Sequence, residues 1–233
     1  MGTEELERLS IEHIRIYESF EKKEKCALCR SIEEFENQVL NSISTDLVMD
    51  LDFFPKFGDE YTFCDYHMSK MEDMRDKLGM AIMLKKLITL EIRKMESGQP
   101  ENKGSKLFMK KSHDKKCFVC EKVNIKAMNS DISITLDLWK NKESFRENFR
   151  KQEYFCFEHN RLLINEAKNR LSKKEFQVFR EEITNVQMKY CKELENDLGW
   201  FINKFDYRYS SEPWYNAKDS IYRAREILRR DNI

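Results

Sequence analysis

Glycine and proline are scarce in this chain, six and three among 233 residues. Sheets need such residues at their turns, and collagen-like or low-complexity chains need many more, so those classes are excluded. Uncharged apolar runs are short: none approaches the roughly 18 residues of a membrane span. The start, MGTEELERLSIEH, also lacks the basic segment and apolar core of a secretory signal. These absences predict a cytoplasmic protein with no membrane contact. An excess of either charge is missing too, since Lys+Arg and Asp+Glu both number 42. No global field therefore gathers a polyanion. Catalytic signatures are equally sparse, with no phosphate-binding Gly-rich loop, no His-Glu-x2-His helix, no Gly-x-Ser-x-Gly elbow and no deaminase arrangement.

What remains is a composition of 40% hydrophobic and 36% charged residues, the balance of long amphipathic helices. An all-α fold is expected, and a chain of this length builds a core without needing a metal or disulfides. Seven cysteines, an odd number, fit poorly with a disulfide set, and a reducing cytoplasm disfavours one.

Six of those cysteines fall into two copies of one arrangement. The first is Cys26-x2-Cys29, 34 residues, then Cys64-x2-His67; the second is Cys117-x2-Cys120, 35 residues, then Cys156-x2-His159. A lysine precedes each first cysteine (Lys25, Lys116) and a phenylalanine each third one (Phe63, Phe155). The pattern predicts a duplicated module, each copy closing its own site. Three thiolates and an imidazole suit tetrahedral zinc and leave no coordination position open, so two structural Zn ions are expected. Cys-x2-Cys reads as a tight knuckle, and Cys-x2-His in a first helical turn puts its ligands on one face, beside the positive helix end. Lys25, Arg30, Lys116 and Lys122 are expected to offset the net negative charge of each site. Closing the arms of 34 and 35 residues by metal is expected to contribute on the order of 10 kcal/mol of apparent binding energy to folding. Metal-free buried cysteines, a redox pair and an iron–sulfur cluster are the competing readings.

Four segments follow from these marks: an opening helix and first zinc module over residues 1–97, a linker over 98–115, a second zinc module over 116–196 and an aromatic C-terminal helical cap over 197–233. Leu6, Leu9, Ile14, Tyr17 and Phe20 mark the opening helix over 4–23. Ser31-x-x-Glu34 reads as a capping box for the next helix, and Ser172-x-x-Glu175 as another. A Met- and Leu-rich stripe with core-packing methionines predicts one long helix over 66–97, bent near Gly79. The linker carries a lysine run, read as solvated. Cys191 is expected to be buried among Val186, Tyr190, Leu194 and Leu198.

In the cap, Pro213 suits the first turn of a last helix through Ile227. Trp200, Lys204, Asp206, Tyr207, Arg208, Trp214, Asp219 and Arg223 form a possible binding patch. They are read either as a packed lid with Asp206, Arg208, Asp219 and Arg223 pairing across it, or as a pocket for an anionic ligand or partner helix.

The two Cys-x2-Cys/Cys-x2-His units, together with the string Trp-Phe-x2-Lys-Phe-Asp-Tyr-Arg-x4-Pro-Trp-x4-Asp from Trp200 to Asp219, resemble an uncharacterised bacterial family classed as a domain of unknown function. The resemblance spans about residues 24–228; it implies a cytosolic metal-binding protein and transfers no activity onto any residue. This chain differs from that pattern at Phe53-Phe54-Pro55 and in its lysine-rich linker. The resulting expectation is a zinc-stabilised interaction or scaffold module with a protein partner. A nucleic-acid binder using Lys103–Lys116 and Arg223–Arg230 is the alternative, and an enzyme built on the C-terminal pocket the third reading. No catalytic residue is assigned; His13 and His113 are the only histidines outside the metal motifs.

Overall fold

A computed structural model describes residues 9–74, 77–97, 116–123 and 129–229. Its elements are helical apart from one two-residue strand pair. In chain order the helices are α1 (Ile11–Glu21), α2 (Ala27–Thr45), α3 (Asp65–Glu72), α4 (Leu78–Glu96), α5 (Phe118–Val123), α6 (Asn129–Asn141), α7 (Glu143–Arg150), α8 (Phe157–Arg170), α9 (Lys173–Asn203) and α10 (Ser220–Leu228). The strands are β1 (Tyr61–Thr62) and β2 (Lys116–Cys117). No helix among the described residues is long and apolar enough to cross a membrane.

The chain divides into two units that do not follow the sequential segments expected from the repeat. One comprises Met1–Glu33 with Lys126–Ile233, and the other Glu34–Ile125. The chain passes between them along α2 and again after α5.

The first unit is built on phenylalanine. Phe20 of α1 packs against Phe145 at 4.7 Å between centroids, Phe149 at 6.0 Å and Phe155 at 6.1 Å. Phe149 continues to Phe179 at 5.3 Å, which meets Trp139 edge-on at 5.1 Å. All five phenylalanines are fully buried, each removing roughly 2–3 kcal/mol worth of apolar surface from water. One face of α9 closes over this core, with Phe179, Ile183, Val186 and Tyr190 buried and Phe176 partly so. Its start is the expected capping box, with Ser172 Oγ accepting from Glu175 N and Glu175 Oε2 accepting from Ser172 N. One buried ion pair reinforces this core. Arg15 of α1 donates to both carboxylate oxygens of Asp131 at 2.6 and 3.1 Å, and Ser31 Oγ donates to the same carboxylate at 2.9 Å.

The second unit has its own aromatic cluster of Phe53, Phe57, Phe63, Tyr61 and Phe118. Two glycines are required here. Gly58 turns with φ of 98°, a region open chiefly to glycine, and donates to Tyr61 O at 2.7 Å. Gly79, in the first turn of α4, packs so close to α2 that a Cβ there would lie 2.3 Å from Ser44 O. Met71, Met80 and Met83 are buried, in keeping with methionines as core filler.

Several local expectations are corrected. Ser31 is not a helix cap: α2 begins at Ala27, so Ser31 lies inside it, where its buried hydroxyl serves Asp131. The helix expected over 66–97 is two helices, α3 ending at Glu72 and α4 starting at Leu78. The last helix begins at Ser220 rather than at Pro213, because the residues before it are spent in turns that supply carbonyls to Lys204 and Trp200. Leu6, His113 and the lysine-rich linker over 98–115 lie outside the described residues.

Candidate metal centres

All four Cys-x2-Cys and Cys-x2-His motifs stand at helix starts. Cys26 directly precedes α2, and its carbonyl accepts the Arg30 N–H at 3.1 Å; Cys117 ends β2 and directly precedes α5. Cys64 and Cys156 are the N-cap residues of α3 and α8, in extended conformation. The Cys156 sulfur also accepts the His159 backbone N–H at 3.5 Å. The spacing i, i+3 then places each pair's second ligand one turn along the same face, as expected for Cys-x2-His. The Cys-x2-Cys pairs use this device as well, in place of the expected knuckle.

The motifs do not close within each copy; they cross. Cys26, Cys29, Cys156 and His159 form one group, and Cys64, His67, Cys117 and Cys120 the other, with the ligand atoms of each group within 4.8 Å of one another. The reading of two self-contained repeats is thereby corrected. The first group lies wholly in the first unit, and the second wholly in the second unit. For the second centre the cause is a short strand pair between segments distant in sequence. β1 and β2 pair in parallel with Thr62 opposite Cys117, which sets the second Cys-x2-Cys beside the chain that leads through Phe63 to Cys64. For the first centre the Phe20 cluster acts, burying Phe155 next to Cys156 while α1 leads into Cys26.

The distances test whether one ion fits. Tetrahedral zinc with Zn–S near 2.3 Å and Zn–N near 2.0 Å requires S···S edges of about 3.8 Å and S···N edges of about 3.5 Å. In the first centre, His159 Nδ1 lies 3.6 Å from the Cys26 sulfur, 3.3 Å from Cys29 and 3.1 Å from Cys156, and the Cys29 and Cys156 sulfurs are 3.6 Å apart. In the second, His67 Nδ1 lies 3.2 Å from Cys64 and Cys117 and 3.4 Å from Cys120, with Cys64 and Cys120 sulfurs 3.8 Å apart. Both groups approximate the edges of a zinc tetrahedron, so the residues fit a metal ion, with Nδ1 the histidine donor in each.

The two centres differ in environment. Cys26, Cys156 and His159 are each about 1% exposed, whereas Cys64, Cys117 and Cys120 are only half-buried. In the first, burial raises the Cys26 thiol, but hydrogen bonds from the neighbouring cysteines and the charge of His159 outweigh it and hold it well below its usual value. In the second, burial opposes charge on His67, yet Cys117, Glu36 and Cys64 together raise the imidazole to about 10. Burial likewise works against the Cys117 thiolate, but the His67 hydrogen bond prevails and brings that thiol down to about 6. Burial and the adjacent Cys117 push Cys120 up to about 12.

The cations expected to balance these centres are mostly used elsewhere. Arg30 donates to the carbonyls of Ser19, Lys22 and Lys25, tying down the connection after α1. Lys25 pairs with Glu33 at 3.5 Å, and Lys122 lies over the Phe118 ring at 5.3 Å. Helix N-termini take over that role, since each centre sits at the positive ends of two helices. Sequence reading missed Glu36, whose Oε1 lies 2.8 Å from His67 Nε2. Nothing in its local sequence separates it from Glu33 and Glu34; only the packing of α3 against α2 selects it.

The C-terminal patch is largely satisfied internally. Lys204 Nζ donates to the carbonyls of Tyr209, Ser210 and Glu212 at 2.6–2.9 Å and lies over the Trp214 ring at 5.5 Å. Trp200 Nε1 donates to Pro213 O at 2.9 Å. Asp206 and Arg208 pair with each other at 2.6 Å on the surface and not across the lid, while Arg223 bridges Asp197 at 2.7 Å and Asp219 at 2.9 Å. Tyr207 is 86% exposed. Asp219 and Arg223 border a cleft of about 640 Å³, but Glu153, Glu193 and Asp197 line it as well. That acidic lining opposes the anionic ligand expected there.

His13 Nδ1 lies 2.8 Å from Ser10 Oγ in the N-cap of α1, and Cys191 is half-buried with Gln187 Nε2 donating to its sulfur at 3.5 Å. Of the C-terminal basic stretch, Arg223 and Arg225 are engaged with carboxylates.

The chain belongs to a family of unknown function (DUF6062), whose model matches residues 8–232. No curated protein matches the chain, and no solved structure does.

Proposed function

We propose that this member of the family is a zinc-binding protein with two structural Cys3His sites that hold a helical frame for docking a protein partner in the cytoplasm. The observation that carries the reading is the closure of both groups. Each brings three sulfurs and one imidazole nitrogen to tetrahedral spacing, which leaves no position for substrate or water. Sulfur-rich donors favour zinc over magnesium, calcium or manganese. A bound ion would contribute a closed cross-link there, and the protein's part is to deliver four donors from helix starts. All seven cysteines are free, as metal ligation in a reducing compartment requires. The exposed aromatic and aliphatic side chains of the C-terminal region, Ile202, Phe205, Tyr207 and Tyr215, support partner binding over catalysis.

Elemental analysis with native mass spectrometry of the purified chain tests the metal. Two zinc ions per chain are expected; one ion, or iron in their place, rejects the assignment. Reciprocal co-purification from the native host tests the partner. A protein recovered in fixed stoichiometry from either end, and lost with Phe205→Ser plus Tyr207→Ser, supports docking. Nucleic acid recovered in its place, with salt-sensitive binding, would replace that reading.

A further inference from the structure

We infer that Glu36 is a positioning residue for the second metal centre: it accepts the Nε2–H of His67 and thereby fixes Nδ1 as the atom presented to the metal. The inference deepens the zinc reading above and rests on it.

His67 is 4% exposed, and its ring turns Nδ1 toward the three sulfurs at 3.2–3.4 Å. A metal-ligating imidazole is neutral and carries one proton, so a ring bonded through Nδ1 holds that proton on Nε2. Glu36 Oε1 stands 2.8 Å from that nitrogen. A buried N–H left without an acceptor is costly, so the carboxylate favours this tautomer and this ring orientation over the flipped one.

Three thiolates and a dication leave the centre at a net −1, and a buried carboxylate behind its histidine adds to that. Glu36 is itself 8% exposed. Lys70, one turn after His67 on α3, pairs with Glu36 Oε2 and lies over the Tyr66 ring at 5.1 Å. The lysine offsets the added charge, which lets a carboxylate serve here without repelling the thiolates. Metal, His67, Glu36 and Lys70 thus form one line from the site to the surface, joining α3 to α2.

A plain salt bridge between two helices would need Glu36 and Lys70 but not the contact to Nε2. Two variants of nearly equal size separate the roles. Glu36→Met removes the acceptor, and Glu36→Gln keeps an amide oxygen for the Nε2–H. Cobalt is loaded into the full-length protein and displaced by zinc against a chelator, with thermal stability recorded alongside.

In Glu36→Met, one of the two ions is expected to bind about 10- to 100-fold more weakly, and the other as in the wild type. Glu36→Gln is expected to recover most of the loss. In the zinc-loaded wild type, ¹⁵N spectra of His67 should show the proton on Nε2. Wild-type affinity in Glu36→Met, or equal losses in both variants, would overturn the inference while leaving two zinc sites in place. A proton on Nδ1 overturns it even if Glu36→Met does not fold. A wild type that binds no ion removes the zinc reading and the inference together.

Discussion

The sulfur of Cys29 lies 3.6 Å from that of Cys156, across 127 positions of sequence. Closure within one copy would have spanned only the 34 residues between Cys29 and Cys64. Loop-closure entropy grows with the logarithm of length, so an ion at this crossed centre removes about 1 kcal/mol more chain freedom from the unfolded state. The second centre closes a shorter span, 56 positions from Cys64 to Cys120, wholly inside the other unit. An ion held at either centre would therefore stabilise one unit, and each unit holds one motif from either copy of the pattern.

Crossed pairing makes a prediction that within-copy pairing reverses. Cys26→Ser with Cys156→Ser damages one centre, so that double variant should retain about one zinc per chain. Cys26→Ser with Cys64→Ser damages both and should retain about none. Closure within each copy would exchange the two results. Native mass spectrometry of both proteins reads the difference directly, and serine keeps the size of the lost side chain.

The two ions should leave at different rates. Three ligands of the first centre are almost fully buried, while the three cysteines of the second are half-buried and open to a small chelator. Titration with excess chelator is expected to give two phases of similar amplitude. The fast phase should vanish in Cys120→Ser and the slow one in Cys29→Ser. A single phase, or the reverse assignment, would refute this order.

The eight residues that gather into the two groups were all legible in the sequence, because Cys-x2-Cys and Cys-x2-His carry their geometry locally, in one turn of helix. Their partnership was not. It depends on a strand pair of two residues, Thr62 opposite Cys117, and on the burial of Phe155 against Phe20, long-range contacts that leave no periodic trace. The same division holds elsewhere. The Ser172–Glu175 box is local and present as expected, whereas Ser31 has the matching spacing but lies inside α2, which starts at Ala27, and its hydroxyl donates to Asp131, 100 positions away. For Lys204 and Arg223 the sequence left a packed lid and a ligand pocket both open, and only folding turns them onto backbone carbonyls and carboxylates.

Two glycines should respond to alanine with opposite signs. A Cβ at Gly79 would meet Ser44 O at 2.3 Å and Ser44 Cα at 2.7 Å, backbone atoms that cannot step aside without moving α2. Gly79→Ala is expected to destabilise the protein by about 1–3 kcal/mol, the usual cost of overpacking. At Gly199, inside α9, nothing lies within 4 Å of the added atom. Gly199→Ala should therefore stabilise by about 0.5–1 kcal/mol through helix propensity. Denaturant melts of the zinc-loaded proteins check both, and a shift of the same sign in the two variants would contradict the packing described.

Glu175 should shape the acid limb of stability. Hydrogen bonds from the Ser172 side chain and backbone, then Lys140, bring its carboxyl from 4.5 down to about 2 in the folded protein. A folded value below the unfolded one means that ionised Glu175 favours folding. That contribution is complete above about 4.5 and is lost as pH falls toward about 2, where the folded form also takes up the proton. Glu175→Gln keeps the reach of the side chain but cannot titrate. Wild type and variant, melted side by side in the same zinc-containing buffer, share the protonation of the metal ligands, which cancels in the difference. The stability gap between them should be constant above pH 5 and shrink between pH 4.5 and 2; a gap independent of pH would show that the capping box works without its charge.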